Sequence, residues 1–164
     1  MLRLLENSDG LADTLAQVNP EKLRLLSFGI VTNDKIEAAE FLDLNGNPVL
    51  SMRHKRGSVL EDYDFSTGGD GSVYRAWDFV EKVLKNQEDP LGDKFSGFVQ
   101  ADWGNYFYVS GPVYDQENRF VGMILVGTSL ETLAVNIHEK SLGQITFYEL
   151  SGSPIASSFI SMPV

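Results

Sequence analysis

The 164-residue chain contains no cysteine and only two histidines. The absence of cysteine excludes disulfide bonds, thiolate zinc sites and cysteine nucleophiles, and it is compatible with either an oxidising or a reducing compartment. No stretch reaches the roughly 18 apolar residues that a membrane-spanning helix needs, and the N-terminus lacks the apolar core of a signal peptide. We therefore expect either a cytoplasmic protein or a soluble part of a larger membrane protein.

Basic residues are also scarce, because 13 lysines and arginines stand against 23 aspartates and glutamates, for a formal net charge of −10. This balance argues against nucleic acid and anionic membrane surfaces as partners, since both require a dominant basic face. The one basic cluster, residues 53–56 (Arg-His-Lys-Arg), indicates either a solvated strand end, which we favour, or an anion site. Asp62, Asp64 and Ser66 alternate like the start of a calcium loop, but the closing acidic residue is absent, so turn chemistry is favoured. No Ser-His-Asp arrangement, phosphate-binding loop or paired metal motif occurs, so we predict no enzyme activity, catalytic residue, metal site or cofactor.

Two neighbouring strands are the most strongly indicated elements. Residues 105–114 are rich in β-branched and aromatic side chains, and residues 120–127 are almost continuously apolar, with a short polar connection at 115–119. An apolar run without alternation indicates that both faces of the second strand are covered, so we expect this strand at the centre of a sheet. Gly122 and Gly127 leave room there for a close neighbour, either a helix or a ligand, or mark a bulge.

Helices and strands alternate along the rest of the chain. The N-terminal 33 residues have apolar side chains at helical spacing, and Asn19-Pro20-Glu21 has the features of a helix start. We therefore predict an α+β fold of the PAS-like type, with a long N-terminal helix and a central antiparallel sheet of about five strands. The remaining predicted elements are a hairpin at 36–42 and 48–53, a loop at 55–72, a helix at 73–85, a strand at 95–101, a helix at 130–141 and a hairpin at 144–150 and 154–159.

The last hairpin repeats the sequence of the first. Residues 43–49 (Asp-Leu-Asn-Gly-Asn-Pro-Val) return as residues 149–155 (Glu-Leu-Ser-Gly-Ser-Pro-Ile). Two explanations remain open: convergent turn chemistry, or a second copy of the same module. On the second explanation we predict three segments, namely an N-terminal stalk helix at 1–19, one module at 20–141, and the opening hairpin of a second, truncated module at 142–164.

Three sequence stretches resemble the Cache family of PAS-like extracytoplasmic sensor domains. They are residues 93–97 (Asp-Lys-Phe-Ser-Gly), residues 111–115 (Gly-Pro-Val-Tyr-Asp) and the strand at 120–127. The resemblance covers about residues 20–141, and the trailing repeat is similar to the double form of the family. It implies a bacterial membrane receptor whose extracytoplasmic domain binds a small molecule and relays a conformational change through its terminal helices. It also implies attachment to the cytoplasmic membrane through spans outside this sequence, and a homodimer.

Two other functions remain open at this point. One is a ligand-free structural module that holds receptors together as dimers. The other is a cytoplasmic PAS domain that binds haem or flavin, although no axial histidine or cysteine is evident. The output of the receptor, as a chemoreceptor, kinase, cyclase or phosphatase, is not encoded in this stretch.

The resemblance places a ligand between the sheet and the segment at 55–92. A subset of the family that senses amino acids uses an Arg-x-Trp motif in this segment, and Arg75 and Trp77 match that motif. A guanidinium pairs bidentately with a carboxylate, and an indole can form a pocket wall. The acidic residue that this subset carries near the end of the last strand is absent, so a buried Trp77 with a solvated Arg75 explains the pair equally well.

Strand periodicity adds further candidates, because alternate residues of a strand share one face. An aromatic wall with a few convergent polar groups is typical of small-molecule sites, and an aromatic core with hydroxyls at its edge is the alternative. We predict a small-molecule ligand, with a carboxylate as one expectation. The predicted ligand-binding residues are Tyr74, Arg75, Trp77, Phe98, Gln100, Tyr106, Tyr108 and Ser110.

Overall fold

The computed structural model describes residues 2–6 and 8–159, apart from the side chain of Leu4, so the last five residues of the predicted second module lie outside it. Within the described residues no helix is long and apolar enough to cross a membrane. The chain divides into two compact units, Met1–Gly97 with Tyr108–Gly127 (unit 1) and Phe98–Phe107 with Thr128–Val164 (unit 2). The elements are α1 (Leu2–Glu6), α2 (Leu11–Ala16), α3 (Pro20–Asn33), β1 (Ala38–Leu42), β2 (Pro48–His54), β3 (Tyr63–Thr67), α4 (Ser72–Arg75), α5 (Asp78–Leu84), β4 (Phe95–Ala101), β5 (Gly104–Tyr114), β6 (Phe120–Ser129), α6 (Leu130–Ser141), β7 (Thr146–Tyr148) and β8 (Pro154–Ser157).

The described part of the first 33 residues forms three helices, and the last of them starts at the predicted Asn19-Pro20 signal. Gly10 has φ = 76°, a left-handed conformation that separates α1 from α2. Asn19 then begins α3, since its side chain accepts a hydrogen bond from the backbone N–H of Lys22 at 3.1 Å and Pro20 occupies the first helical position. Only α3, with 14 residues, has the length expected of a long helix.

The principal sheet has six strands in the order β3-β2-β1-β6-β5-β4, which confirms the predicted α+β class. The additional strand, β3, lies inside the segment predicted as a loop at 55–72. It pairs antiparallel with β2, and it is held by Tyr63, whose buried hydroxyl donates to the carbonyl oxygen of Ile36 at 2.6 Å. The sequence did not predict this strand because four of its five residues are exposed and lack an apolar alternation.

The part of the sheet that lies in unit 1 has two different faces. On β1, Ala39 and Phe41 point into an apolar core that also contains leucines of α1, α2 and α3. Glu40, between them, points to the opposite face. The apolar core of unit 1 comprises Leu2, Leu5, Leu11, Leu15, Leu23, Val31, Ile36, Ala39, Phe41, Val49, Leu50, Met52, Tyr63, Val113, Val121, Ile124 and Val126.

The helix predicted at 73–85 is interrupted in its middle. Trp77 has extended backbone angles (φ −87°, ψ 123°), so the chain forms the single turn α4, one extended residue and then α5. Val73, at the start of the predicted helix, is 47% exposed, whereas Phe79, Val80 and Val83 of α5 are buried. The break matters because it changes the direction of the Trp77 side chain relative to a continuous helix.

Unit 2 contains α6 and the two-stranded sheet of β7 and β8. Helix α6 has the predicted bounds, and the Ser129 hydroxyl accepts a hydrogen bond from the Thr132 backbone N–H at 3.2 Å at its start. The helix packs against both strands of the hairpin. The Phe98 ring lies 5.0 Å from Phe107 and 6.0 Å from Phe147, so aromatic contacts tie the hairpin to the strand segments of this unit.

Candidate functional site

A charged residue lies fully buried at the centre of unit 1. Glu40 has no solvent exposure, although the other four residues of β1 are apolar. The β1–β2 register places Glu40 opposite Ser51, and the β1–β6 register places it opposite Leu125. A carboxylate in such a position is costly unless hydrogen-bond donors surround it.

The principal partner of Glu40 is Arg53, two residues beyond Ser51 on the same face of β2. The Arg53 Nε donates to Glu40 Oε1 at 2.8 Å and its Nη2 donates to Oε2 at 3.2 Å. This arrangement is the bidentate fork that a guanidinium forms with a carboxylate. The Arg53 side chain is 21% exposed, so the network reaches the surface on the arginine side.

Two tyrosine hydroxyls complete the set of donors. Tyr74, on α4, donates to Glu40 Oε2 at 3.0 Å, and Tyr108, on β5, donates to Oε1 at 3.2 Å. The Tyr74 oxygen also accepts from Arg53 Nη2 at 2.9 Å and lies 3.4 Å from the Ser51 hydroxyl. Three separate elements, β2, α4 and β5, thus direct donors onto one carboxylate.

Gly127 makes the approach of Tyr108 possible. A side chain at this position would meet the Tyr108 ring, because a Cβ would lie 2.5 Å from its Cε1 atom. The ring therefore occupies the space above β6 that a larger residue would take, and its hydroxyl reaches Glu40 on the neighbouring strand. The sequence predicted a helix, a ligand or a bulge at Gly127, and the structure instead places the Tyr108 side chain of the same unit against it.

Trp77 covers this cluster from the break between α4 and α5. Its ring stacks on Tyr108 at 5.6 Å between centroids with an interplanar angle of 26°, and it meets the Tyr74 ring edge-on at 5.2 Å. On the far side it stacks on Phe79 at 5.6 Å. Part of Trp77 remains exposed to solvent.

The surroundings of the cluster shift the pKa values of two of its members, Arg53 and Tyr74. Burial alone would lower the pKa of the Arg53 guanidinium, but the charge and hydrogen bonds of Glu40 outweigh burial and raise that pKa. Burial raises the pKa of the Tyr74 hydroxyl, and the charge of Glu40 raises it further. Arginine therefore remains a cation and tyrosine a neutral donor. Buried, charge-coupled groups of this kind are candidates for a functional site.

The structure brings together three of the eight predicted ligand-binding residues, namely Tyr74, Trp77 and Tyr108. It places Arg75 elsewhere, on the turn of the first hairpin, where its Nη1 donates to Asn47 Oδ1 at 2.7 Å and its Nη2 pairs with Asp70 at 3.0 Å. Ser110 donates to the carbonyl oxygens of Phe79 and Phe95, at 3.0 and 3.2 Å.

The other three predicted residues lie in unit 2. Phe98 is 62% exposed, and Gln100 donates to Glu149 Oε1 at 3.1 Å. Tyr106 is buried, with its ring beside Gly104. Strand periodicity correctly assigned these residues to strand faces, but it could not show which of them reach the cluster around Glu40.

Sequence reasoning missed the two charged members of that cluster. Glu40 was not singled out, and Arg53 was assigned to a solvated strand end. The available signal was a single acid inside an apolar strand, combined with the Asn45-Gly46 turn that sets the hairpin register. That register predicts a basic residue, Arg53, diagonal to the acid on the same face.

The alternating acidic stretch at 62–66 is engaged in ion pairs. Among the residues that the structure describes, no group of three or more acidic, histidine or cysteine side chains could hold a metal ion. Asp62 and Asp64 instead lie 2.8 and 3.6 Å from the Lys55 ammonium. The Glu40 carboxylate accepts hydrogen bonds from four donor atoms, two on Arg53 and one each on Tyr74 and Tyr108.

Comparison with known proteins identifies the type of domain. A family model, dCache_3, described as the double sensory domain of two-component sensor kinases, matches residues 1–161. No curated protein matches the sequence.

The fold is similar to several solved sensor domains. The sensor domain of the Vibrio cholerae histidine kinase DctB is 15% identical with a TM-score of 0.61, over 96% of this chain and 57% of that one. The periplasmic sensory domain of the Campylobacter jejuni chemoreceptor Tlp1 is 12% identical with a TM-score of 0.55, over 88% of this chain and 59% of that one. The ligand-binding domain of the C. jejuni chemoreceptor Tlp3, solved with L-valine, is 12% identical with a TM-score of 0.56, over 96% of this chain and 68% of that one. The chain therefore spans little more than half the length of the first two domains.

Proposed function

Because the chain belongs to this double-Cache family of sensory domains, we propose that unit 1 binds a small molecule on the sheet face around Glu40. The observation that carries the proposal is the convergence of donors from β2, α4 and β5 on the Glu40 carboxylate, next to the Trp77 ring that contacts both tyrosine rings. A few convergent polar groups in an aromatic wall are typical of small-molecule sites.

The segment that covers the site is suited to a ligand-dependent movement. Helix α4 is one turn long, and Arg75, at its end, is held to the first hairpin by exposed hydrogen bonds to Asn45 and Asn47. Water weakens such exposed contacts, as it weakens exposed ion pairs, which contribute at most about 1 kcal/mol each. A ligand that binds better when the α4–α5 segment is displaced would shift the population toward that state.

The receptor context is the second part of the proposal. Relatives in this fold include periplasmic sensory domains, which supports an extracytoplasmic location for this domain in a membrane receptor. We propose that the ligand signal passes through the terminal helices to a dimer partner and an output domain. A carboxylate-bearing ligand fits the Arg53 guanidinium better than it fits Arg75, whose contacts lie at the hairpin turn.

The repeated hairpin supports the proposed domain organisation, with a stalk at 1–19, a module at 20–141 and the start of a second module at 142–164. The first turn has hydrogen bonds from Asp43 N to Asn47 O and from Gly46 N to Asp43 O, and the second turn has the corresponding bonds from Glu149 N and Gly152 N. The same sequence string thus adopts the same turn. The proposed stalk also contributes buried leucines to unit 1.

A ligand-free structural module is the second candidate function. The observation that favours it is that the Glu40 carboxylate is already surrounded by donors within the protein. A thermal-shift screen of small metabolites separates the two functions, because a ligand that binds only the folded state raises the melting temperature with its concentration.

The screen has a matched pair of variants. The chain contains two tryptophans, Trp77 at the proposed site and Trp103 in unit 2. For any stabilising compound, Trp77→Ala should abolish the concentration-dependent shift, whereas Trp103→Ala should retain it. A screen without a stabilising compound, or a shift that survives Trp77→Ala, would favour the structural module or a different site.

A further inference from the structure

We propose that Glu40 is a built-in occupant of a carboxylate-binding site, so that its side chain holds the place that the carboxylate of an external ligand would take. This inference rests on the proposed function, because it concerns the same site and names the group with which a ligand competes. The argument starts from the donors. A guanidinium fork and two phenol hydroxyls converge on one carboxylate, at 2.8, 3.2, 3.0 and 3.2 Å.

The surroundings of the carboxylate are those of a small receptor site. On the same face of the sheet the neighbours of Glu40 include three small residues, Ala38, Ser51 and Gly127, as well as Leu125, and the Trp77 ring stacks on the donor Tyr108. The donors come from three different elements, so their convergence depends on the tertiary fold. Removal of the Glu40 carboxylate would leave the guanidinium and two hydroxyls directed at the vacated volume.

Covalent attachment explains how Glu40 would act as an internal competitor. A group fixed within reach of its binding partners has an effective concentration far above that of a free ligand in solution. A simple monocarboxylate therefore cannot displace Glu40 from the wild-type site. A natural ligand needs a carboxylate and, in addition, a larger portion that contacts the displaced α4–α5 segment. The binding free energy of the whole ligand must exceed the free energy of the Glu40–Arg53 interaction that it replaces.

The proposal predicts that a truncated Glu40 can be replaced from solution. Glu40→Ala removes the Cγ methylene and the carboxylate, which together correspond to acetate. We expect the variant to melt at a lower temperature than the wild type, because the Arg53 charge loses its partner. Acetate should then raise its melting temperature with the logarithm of its concentration, by about 3 °C at ten times the dissociation constant, whereas the wild type should gain no more from acetate than from chloride.

Three controls keep the result specific. Acetamide has nearly the size of acetate but no charge, and it should give no such rise. Sodium chloride at equal ionic strength measures general salt effects. In the double variant Glu40→Ala/Arg53→Met the guanidinium is also absent, so the response to acetate should disappear.

The experiment has outcomes that overturn the proposal. A folded Glu40→Ala variant that responds equally to acetate, acetamide and chloride would show that the donors do not form a carboxylate site. The same conclusion follows if the double variant responds to acetate like the single one. If Glu40→Ala does not fold in water, refolding yields in acetate and in acetamide become the readout: a higher yield in acetate supports the proposal, and equal yields overturn it. Failure of the proposed function is a separate result, since it is read from the metabolite screen on the wild type.

Discussion

The two hairpins that share a sequence string differ in almost everything except their turns. The first, β1–β2, has Gly46 at φ = 76°, and the second, β7–β8, has Gly152 at φ = 90°. Both ladders shift register at corresponding positions, between Phe41 and Leu42 and between Phe147 and Tyr148. The turn is therefore encoded locally, by glycine and short polar residues that need no help from the rest of the fold.

The burial and the side-chain pairs of the flanking strands are not determined by the turn sequence. All five residues of β1 are buried, whereas Tyr148 at the end of β7 is 62% exposed. Where the first hairpin has Glu40 opposite Ser51, the second has Thr146 opposite Ser157, with their hydroxyls 2.9 Å apart. The position of Arg53 corresponds to Phe159. The second hairpin thus repeats the backbone of the first but not its charged site.

The largest difference between the hairpins should be the loss of unfolding free energy when the equivalent phenylalanine of each is replaced by alanine. Phe41 is fully buried in the unit 1 core, whereas Phe147 is half-buried. Phe41→Ala should lower the free energy of unfolding by about 3–5 kcal/mol, and Phe147→Ala by less than about half of that. Urea unfolding followed by circular dichroism measures both changes. Equal losses would mean that the second hairpin is as deeply packed as the first.

The second prediction concerns the neighbour of the first turn. A Cβ on Gly71 would lie 2.0 Å from the carbonyl oxygen of Gly46, so Gly71→Ala must displace backbone. We expect a loss of about 2–3 kcal/mol, within the range for overpacked sites. Gly29→Ala is the matched control, since its Cβ would meet nothing within 4 Å in the interior of α3, and it should be neutral or stabilising by up to about 1 kcal/mol. A Gly71→Ala variant as stable as this control would contradict the close approach.

A smaller effect is expected at Arg75, whose side chain donates hydrogen bonds to the first turn. Its contacts with Asn45, Asn47 and Asp70 are exposed, so Arg75→Lys should cost no more than about 1 kcal/mol. Amide hydrogen exchange should accelerate at Gly46 and stay unchanged at Gly152. The opposite pattern, a stable turn but weakened binding of a ligand found by screening, would place Arg75 in the binding site after all.

The smallest predicted effect is a pH dependence of stability caused by Asp70, the ion-pair partner of Arg75. Hydrogen bonds from Ser72, followed by the interaction with Arg75, lower the pKa of Asp70. A carboxyl group whose pKa is lowered by folding stabilises the fold above its unfolded pKa and loses that contribution as pH falls through its folded pKa. The stability difference between wild type and Asp70→Asn should therefore be larger at about pH 7 than at about pH 3. A difference that is constant or grows in acid would contradict this assignment.

The sequence predicted the fold well where the signal was local. The strands around 105–114 and 120–127, the helix at 130–141 and the first hairpin are confirmed, because apolar runs, caps and Asn-Gly turns act over a few residues. The resemblance to Cache sensor domains is also confirmed by the family match over residues 1–161. Strand β3 was missed because its pairing with β2, and not its own pattern, makes it a strand.

The site was predicted less completely because it depends on tertiary geometry. Tyr74, Trp77 and Tyr108 were selected for their residue types and are found together. Glu40 and Arg53 became visible only through the hairpin register that places them diagonally on one face. The break at Trp77 turns the indole toward Tyr108, and helical periodicity could not foresee it.

The two tryptophans provide the most direct test of the central claim, that unit 1 senses its ligand at the Glu40 face of the sheet. Uniform 15N labelling gives one indole N–H signal for Trp77 and one for Trp103, assigned with Trp77→Phe and Trp103→Phe. The protein is then titrated with a stabilising compound from the metabolite screen. We predict that the Trp77 signal shifts with saturation at the affinity measured by thermal shift, while the Trp103 signal keeps its position. A shift of the Trp103 signal with an unchanged Trp77 signal would contradict the account.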